Sequence, residues 1–345
     1  MNQAEPQTSP INVGAGFALA PDDPVLAKNM TDGLAIVEDR LRAAVAQTDD
    51  IADASSKHLI DAGGKRVRPL LVLLAAQLGD SRHHEVVEAA VVTELTHLAT
   101  LYHDDVMDSA PMRRGAPSAH EVWGNSIAIL TGDLLFARAS SIVAELGPEA
   151  VSLQAKTFER LCLGQMRETL GPDDGADRIE HYIGVLSDKT GSLISAAGQF
   201  GTRFSGAPAA YVPVLAEFGE KIGVAFQLAD DVIDLTIDAA TSGKTPGTDL
   251  RERVPTLPVL LARKAADDGD AASRDLVALL DADLSTDEAL AGAVAAMRAH
   301  PAVAEASAEA RKWADAAIAA LAPLPDGSVK DALSAFARTV VERTA

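Results

Sequence analysis

Alanine and leucine return at three- and four-residue spacing along almost the whole chain, and that periodicity admits few folds. Leu70, Leu73, Leu74 and Gln77 show it, as do Val259, Leu260 and Arg263. A helix turns once every ~3.6 residues, so this spacing collects side chains on one face, whereas a strand needs alternation. Aromatic residues are only 4% of the chain, and strand-like runs are nearly absent. Turn signals cut the pattern into helix-sized pieces at Gly63-Gly64, Gly79-Asp80, Gly115-Ala116-Pro117, Gly147-Pro148 and Gly171-Pro172. Gly206-Ala207-Pro208 and Thr245-Pro246-Gly247 follow. Ser285 and Glu288 have capping-box spacing ahead of an Ala-rich helix. The pattern predicts an all-α protein, a bundle of about a dozen helices.

With 345 residues the chain can build a deep core. No internal repeat or clean linker divides it, so a single domain is expected over residues 25–345. The acidic, Ala-rich stretch from Asp267 to Asp287 reads as exposed helix and loop. Residues 1–24 carry several prolines, no early Lys or Arg and no compact apolar stretch; they read as a disordered leader, not a secretion signal. No run approaches the ~18 uninterrupted apolar residues of a membrane span, so no transmembrane segment is expected. The lone Cys162 excludes an internal disulfide, reads as a small core residue, and fits a reducing cytoplasm.

A formal net charge of −20 argues against nucleic acid as a partner and against docking on anionic lipid through bulk charge. An anionic ligand must then be held by local basic groups or by bridging cations.

Two segments meet that requirement, Asp104-Asp105-Val106-Met107-Asp108 and Asp230-Asp231-Val232-Ile233-Asp234. Both follow strongly apolar helical stretches, Leu95 to Tyr102 and Ile222 to Ala229. Helical positions four apart differ by about 40° in azimuth, so Asp104 and Asp108 share a face, as do Asp230 and Asp234. Carboxylates gathered at the end of a buried helix repel one another and need neutralising. Hard divalent cations fit, because Mg²⁺ prefers oxygen and bridges one or two carboxylates to substrate phosphates. One such cluster reads equally as a solvated acidic helix end; two with the same spacing do not. Calcium loops alternate their ligands around a central glycine, which is missing here, and no HExxH or CxxC offers a zinc site. His103 reads as a packed or hydrogen-bonded structural histidine.

Basic groups surround both clusters. Gly63-Gly64-Lys65-Arg66-Val67-Arg68-Pro69 precedes the first, and Met112-Arg113-Arg114-Gly115 follows it. A glycine-opened loop lets backbone approach an anion, and arginine forks match diphosphate oxygens in a bidentate way. Alone, the first run reads as a polar turn before a helix; its meaning comes from its company. Lys189-Thr190-Gly191 and Gly243-Lys244-Thr245-Pro246-Gly247-Thr248-Asp249 form a second set. Gln227 lies three residues before Asp230 on the same helical face. The inventory suits two polyphosphate ligands, one gripped by basic side chains and the other through Mg²⁺.

GGKRVRP, HDDVMDSAPMRRG, SDKTGSL and FQLADDVIDLT followed by GKTPGTDL resemble the trans-isoprenyl diphosphate synthases, in order and spacing from about residue 30 to 260. The tail to Ala345 matches only in helical character. The resemblance implies a homodimer of all-α subunits of the isoprenoid synthase type, each with a central cavity. It implies that Lys65, Arg68, His97 and Arg114 hold isopentenyl diphosphate. Arg113, Lys189, Thr190, Gln227 and Lys244 would face the allylic diphosphate. Asp104, Asp108 and Asp230 would be the direct Mg²⁺ ligands, and with Lys189 the catalytic set. Asp105, Asp231 and Asp234 would support them through water or charge.

The chemistry follows from that inventory. Loss of diphosphate from an allylic carbon leaves a delocalised cation, and negative charge collects on the leaving group. Mg²⁺ and the Lys/Arg set stabilise that charge as it develops. The isopentenyl double bond attacks the cation, and the resemblance implies that the departing diphosphate takes the proton. A class I terpene cyclase also ionises diphosphates, but it needs no second diphosphate substrate and usually carries an Asn/Ser/Glu motif in place of Asp230 to Asp234. A non-catalytic partner subunit would be expected to have lost some of these residues, and none is lost here.

Product length is read from the helix before Asp104. Its site-facing stripe runs back through Leu101, Thr100, His97, Thr93 and Ala90, and no aromatic occupies it. Thr93 to Asp104 spans about 16 Å, room for several isoprene units. In the family, a bulky residue four or five positions before the first aspartate closes the pocket early; here Thr100 and Ala99 are small. The expectation is a long-chain product, beyond the farnesyl and geranylgeranyl lengths, for a quinone side chain and delivery to the membrane. The shorter products are the alternative, since small residues also serve tight helix packing.

Overall fold

The computed structural model describes residues 11–12, 18–19, 23–236 and 246–342. They are overwhelmingly helical, as the periodicity requires, and the chain divides into two compact units. The first comprises Met1–Glu159, Leu193–Gly219 and Ala320–Phe336; the second comprises Arg160–Ser192, Glu220–Ala319 and Ala337–Ala345. Most of the expected leader lies outside the described residues. Within it, β1 (Ile11–Asn12) pairs antiparallel with β2 (Ala18–Leu19).

In the first unit, α1 (Pro24–Val45) opens on Asp23, whose carboxylate accepts from the Val25 and Leu26 amides at 2.9 and 3.1 Å. Pro24 at the first helical position gives up no needed donor there. α2 (Asp50–Asp61) and α3 (Val67–Ala76) follow, and α4 (His84–Met107) packs against α1, α3 and α6 (Asn125–Glu145). α4 is buried around most of its circumference: Val91, Leu95, Leu98 and Tyr102 are all fully inside. Its polar interior positions are satisfied locally. Thr93 and Thr96 donate to the carbonyls of Ala89 and Val92 at 2.7 and 2.8 Å. The Tyr102 hydroxyl accepts from the Leu59 amide at 3.3 Å and donates to the Ser55 carbonyl.

β3 (Met112–Arg113) and β4 (Ala116–Pro117) make a two-residue hairpin just beyond α4. Its loop residues Arg114 and Gly115 take φ of 54° and 80°, the geometry of the tight hairpin turn. α5 (Ala119–Trp123) leads into α6. Among the described residues, α6 is the one helix long and apolar enough to cross a membrane, though Asp133 and Arg138 interrupt it. One of its faces, through Ala128, Thr131, Leu135, Ala139 and Ile142, is buried.

α7 (Pro148–Leu170) carries Cys162 on its exposed side, so the cysteine is not the core residue the sequence suggests. In the second unit, α8 (Arg178–Leu186) runs into a π-helical turn, Ser187–Gly191; α9 (Ser192–Phe204), which follows, belongs to the first unit from Leu193 on. α10 (Tyr211–Thr236) brings its last turns to the second unit, followed by α11 (Thr248–Arg251), α12 (Leu257–Asp267), α13 (Ala271–Leu280), α14 (Asp287–Arg298) and α15 (Pro301–Ala320); α16 (Ser328–Glu342) begins in the first unit and ends in the second. Leu235, Val259, Leu276, Leu280, Leu290 and Met297 form the core of the second unit.

One local expectation is refined and another changes. The Asp267–Asp287 stretch is mostly exposed helix and loop, as expected, but its Leu276, Leu280 and Leu284, each only 6% exposed, reach into that core. The cap of α14 is Thr286, whose hydroxyl accepts from the Ala289 amide at 3.2 Å, not Ser285. The Ser285 amide instead donates to Asp283 at 2.9 Å.

Candidate active site

The first unit gathers a nest of cations around one buried carboxylate. Glu94, on α4, has a side chain only 2% exposed. Arg66 Nη1 donates to its Oε1 at 3.1 Å, and Arg114 Nη2 lies 3.9 Å from the same oxygen. Arg66 also forks onto Glu38 at 2.8 and 3.1 Å, and Arg114 donates to the carbonyls of Leu59 and Gly63. Gly64 makes the crowding possible. Its φ is +151°, and a Cβ there would stand 2.8 Å from the Arg114 guanidinium and 2.9 Å from that of Arg66.

Arg68 and His97 share this environment. The Arg68 Nε is buried without a partner, and burial, opposed by Glu94 and aided by Arg114, pushes the guanidinium down to about 10. Burial first, then Arg68, Arg114, Arg113 and Arg66, hold the His97 imidazole well below its usual range, so it is neutral at pH 7. Lys65, next to Arg66 in the chain, is half-buried. Guanidiniums outnumber the carboxylates that face them, and a diphosphate would balance the account.

At the end of α4, Asp104 is partly exposed and Asp108 exposed, while Asp105 is buried. Arg113 Nε donates to Asp105 Oδ1 at 2.6 Å, and Asp105 Oδ2 has no hydrogen-bond partner. The open side of α4 runs from Asp104 through Leu101 and Thr100 to His97; Thr93 and Ala90, which the stripe was expected to include, are 1% and 0% exposed. Ala99 is wholly buried as well, so of the two length-setting candidates only Thr100 borders the open side. His103 is structural: its Nε2 lies 3.2 Å from the Ile129 carbonyl, and its ring packs on Gly132.

The second unit holds the other set. Asp230 and Asp234 are partly exposed on α10, one turn apart, with Gln227 one turn earlier. Asp231 is only 7% exposed. It accepts from the Tyr182 hydroxyl at 2.7 Å and the Leu257 amide at 3.2 Å, and burial pushes its carboxyl up to about 8. Its task is to join α8, α10 and the start of α12. Asp234 Oδ2 accepts from the Asp249 amide at 3.3 Å, which ties the end of α10 to α11. Lys189 and Thr190 lie in the π-helical turn, where the Lys189 ammonium pairs with Glu168 and Thr190 is buried. Lys244 lies outside the described residues.

Among the described residues, no three His, Cys, Asp or Glu side chains form a ready-made metal cage. A Mg²⁺ site of this kind needs none, because waters and substrate phosphates complete an octahedron begun by one or two carboxylates. Each unit carries oxygen donors of the kind such an ion takes, Asp104 and Asp108 in the first and Asp230 in the second.

Sequence reasoning missed Arg66, Glu94, Glu38 and Tyr182. A glutamate inside the apolar run of α4 is a signal in itself, since a buried carboxylate must be paired.

An accessible aspartate pair near the end of α4, with a buried cluster of cations in the same unit, and a second such pair on α10 mark a prenyltransferase of the isoprenoid synthase fold. Residues 49–297 match the polyprenyl synthetase family, and the chain belongs to it. It is 46% identical to a nonaprenyl diphosphate synthase of Mycobacterium tuberculosis, over 97% of this chain and 99% of that one. The structure is similar to that of a geranylgeranyl pyrophosphate synthase from Corynebacterium glutamicum complexed with calcium and isoprenyl diphosphate. There the TM-score is 0.83 at 41% identity, covering 94% of this chain and 99% of the other. A decaprenyl diphosphate synthase from Rhodobacter capsulatus gives a TM-score of 0.82 at 34% identity, covering 93% and 98%.

Proposed function

We propose that the chain is a long-chain all-trans polyprenyl diphosphate synthase, adding isopentenyl diphosphate head to tail to an allylic diphosphate with Mg²⁺ as its metal. The observation that carries this reading is the surplus of guanidinium around Glu94, which calls for a ligand as anionic as diphosphate. Lys65, Arg68, Arg114 and neutral His97 bind isopentenyl diphosphate. Arg113, Lys189, Thr190, Gln227 and Lys244 bind the allylic diphosphate, and Asp104, Asp108 and Asp230 would hold Mg²⁺. When bound, the metal supplies positive charge to the diphosphate oxygens. Arg113 and Lys189 donate to the leaving diphosphate as the allylic C–O bond breaks. The isopentenyl double bond then forms the new C–C bond, and its proton passes to the released diphosphate.

Thr100, small and on the open side of α4, supports a long product, as do the nonaprenyl and decaprenyl relatives. The expected destination is a quinone side chain. A homodimer suits the outer face of α6, where Ile129 and Leu130 are 42% and 60% exposed: a second copy would cover that stripe. The cytoplasm is the compartment expected for it. Residues 25–345 are read as one catalytic domain.

The test is to incubate the protein with farnesyl diphosphate, isopentenyl diphosphate and Mg²⁺, then resolve products by length. The expected result is a ladder ending beyond geranylgeranyl diphosphate. Products that stop at farnesyl or geranylgeranyl diphosphate would overturn the long-chain assignment, and a cyclic hydrocarbon would overturn the synthase assignment.

A further inference from the structure

The π-helical turn that carries Lys189 and Thr190 is gripped by a residue outside the family motifs quoted above. Its defining bond runs from the Ser192 amide to the Ser187 carbonyl, five residues back. Such a widened turn is rare and needs support from its surroundings. Arg160, on α7, supplies it. Its Nε donates to Asp188 Oδ1 at 2.8 Å and its Nη1 to Glu220 Oε2 at 3.0 Å. Its Nη2 reaches the Ser187 carbonyl at 3.3 Å and the Ser187 hydroxyl at 3.2 Å, and also pairs with Glu220 Oε1. The Ser187 hydroxyl donates to Glu220 in turn, and Arg167 takes the other Asp188 oxygen at 2.6 Å.

The turn has no slack on either side. A Cβ on Gly164 of α7 would lie 2.9 Å from Asp188 Cβ and 3.0 Å from Lys189 Cγ. A Cβ on Gly223 of α10 would lie 2.6 Å from the Gly191 Cα. Close packing of this kind transmits small shifts instead of absorbing them. Two turns beyond Arg160 on the same helix, Glu168 holds the Lys189 ammonium. α7 thus fixes both the backbone that begins the turn and the charge at its middle.

We propose that Arg160, bridging Asp188, Glu220 and Ser187, is a positioning residue that sets where Lys189 and Thr190 present their donors to the allylic diphosphate. An ordinary stabilising ion pair needs one carboxylate. Arg160 instead joins two carboxylates and a backbone carbonyl of the turn, which only a planar fork can do. The inference rests on the reading above that Lys189 and Thr190 bind the allylic substrate.

The experiment is steady-state kinetics of Arg160→Lys, Glu220→Gln and Lys189→Ala, varying farnesyl diphosphate and isopentenyl diphosphate separately, with thermal midpoints alongside. Arg160→Lys keeps the charge and loses the fork. It should raise KM for farnesyl diphosphate about tenfold, the worth of one misplaced charge-assisted hydrogen bond, and leave that for isopentenyl diphosphate nearly unchanged. Glu220→Gln should shift the same constant in the same direction by less, and it decides the matter if Arg160→Lys does not fold. If Lys189→Ala raises the farnesyl constant while the folded Arg160 and Glu220 variants do not, the positioning role is refuted and the site assignment stands. If Lys189→Ala itself leaves that constant unchanged, the underlying site assignment fails and this inference with it. Equal losses for both substrates with a lowered thermal midpoint would reduce Arg160 to a structural tie.

Discussion

Arg113 Nε donates to Asp105 Oδ1 at 2.6 Å, so the middle aspartate of the first cluster is committed to a cation of its own chain. Asp105 is only 1% exposed, whereas its neighbour Asp104 is accessible. The two should respond differently to removal. Asp104→Ala should cut turnover by orders of magnitude with little change in stability, as should Asp230→Ala in the second unit. Asp105→Ala leaves a guanidinium without its partner and should cost about 1–3 kcal/mol, toward the low end because Arg113 is partly solvated. Urea midpoints and kcat for the set check this; a stability loss in Asp104→Ala equal to that in Asp105→Ala would show the assignment to be wrong.

Gly64 tests the cation nest without removing any charge. Alanine there must adopt φ near +151° and place its Cβ 2.8 Å from the Arg114 guanidinium. Gly64→Ala should therefore displace Arg114 and Arg66 and raise KM for isopentenyl diphosphate about tenfold or more. The constant for the allylic substrate should change little, and a selective effect on that substrate instead would reverse the division of the site.

His97 gives the nest a pH dependence. Its folded pKa lies well below the usual 6.5, so below that pH the unfolded chain binds a proton that the folded chain resists. The contribution to stability is present above about pH 6.5 and is lost as the pH falls. His97→Gln should lessen the loss of stability between pH 7 and 5, measured by denaturant unfolding of protein without substrate. A bound diphosphate adds negative charge beside the imidazole and raises its proton affinity, so isopentenyl diphosphate should bind with proton uptake that grows as the pH is lowered from 7, seen as a buffer-dependent heat in calorimetry.

The helices and both aspartate pairs were legible because their signals are short-range. Periodicity of three to four residues shows in the sequence, and so does a D-D-x-x-D spacing. Arg160 was not legible, since its partners Asp188 and Glu220 lie 28 and 60 residues away and only the packed unit unites them. Arg66 was hidden differently. It stands between Lys65 and Arg68 in one basic run, and its left-handed backbone, φ 48°, turns it to Glu38 and Glu94. Charge density showed the exposed face of Asp267–Asp287 but hid its inner one, where Leu276 and Leu280 at helical spacing enter the core.

Product length is the last property the geometry lets one test, and it separates two residues that the sequence treats alike. Thr100 borders the open side of α4 one turn before Asp104, its hydroxyl donating to the His97 carbonyl at 2.8 Å. Ala99 is wholly buried. Thr100→Phe should put a ring where a growing chain first passes the aspartates, and shorten the product to about the farnesyl or geranylgeranyl length while first condensations continue. Ala99→Phe should overpack the core, costing about 1–3 kcal/mol, and act on stability before it acts on length. Tyr102→Phe is the control. It removes the hydroxyl that bonds Leu59 and Ser55 and should lower stability with an unchanged ladder. The measurements are product chromatography with farnesyl diphosphate as primer and urea midpoints for each variant. An active, folded Thr100→Phe enzyme with the wild-type ladder would place the path of the chain along another wall.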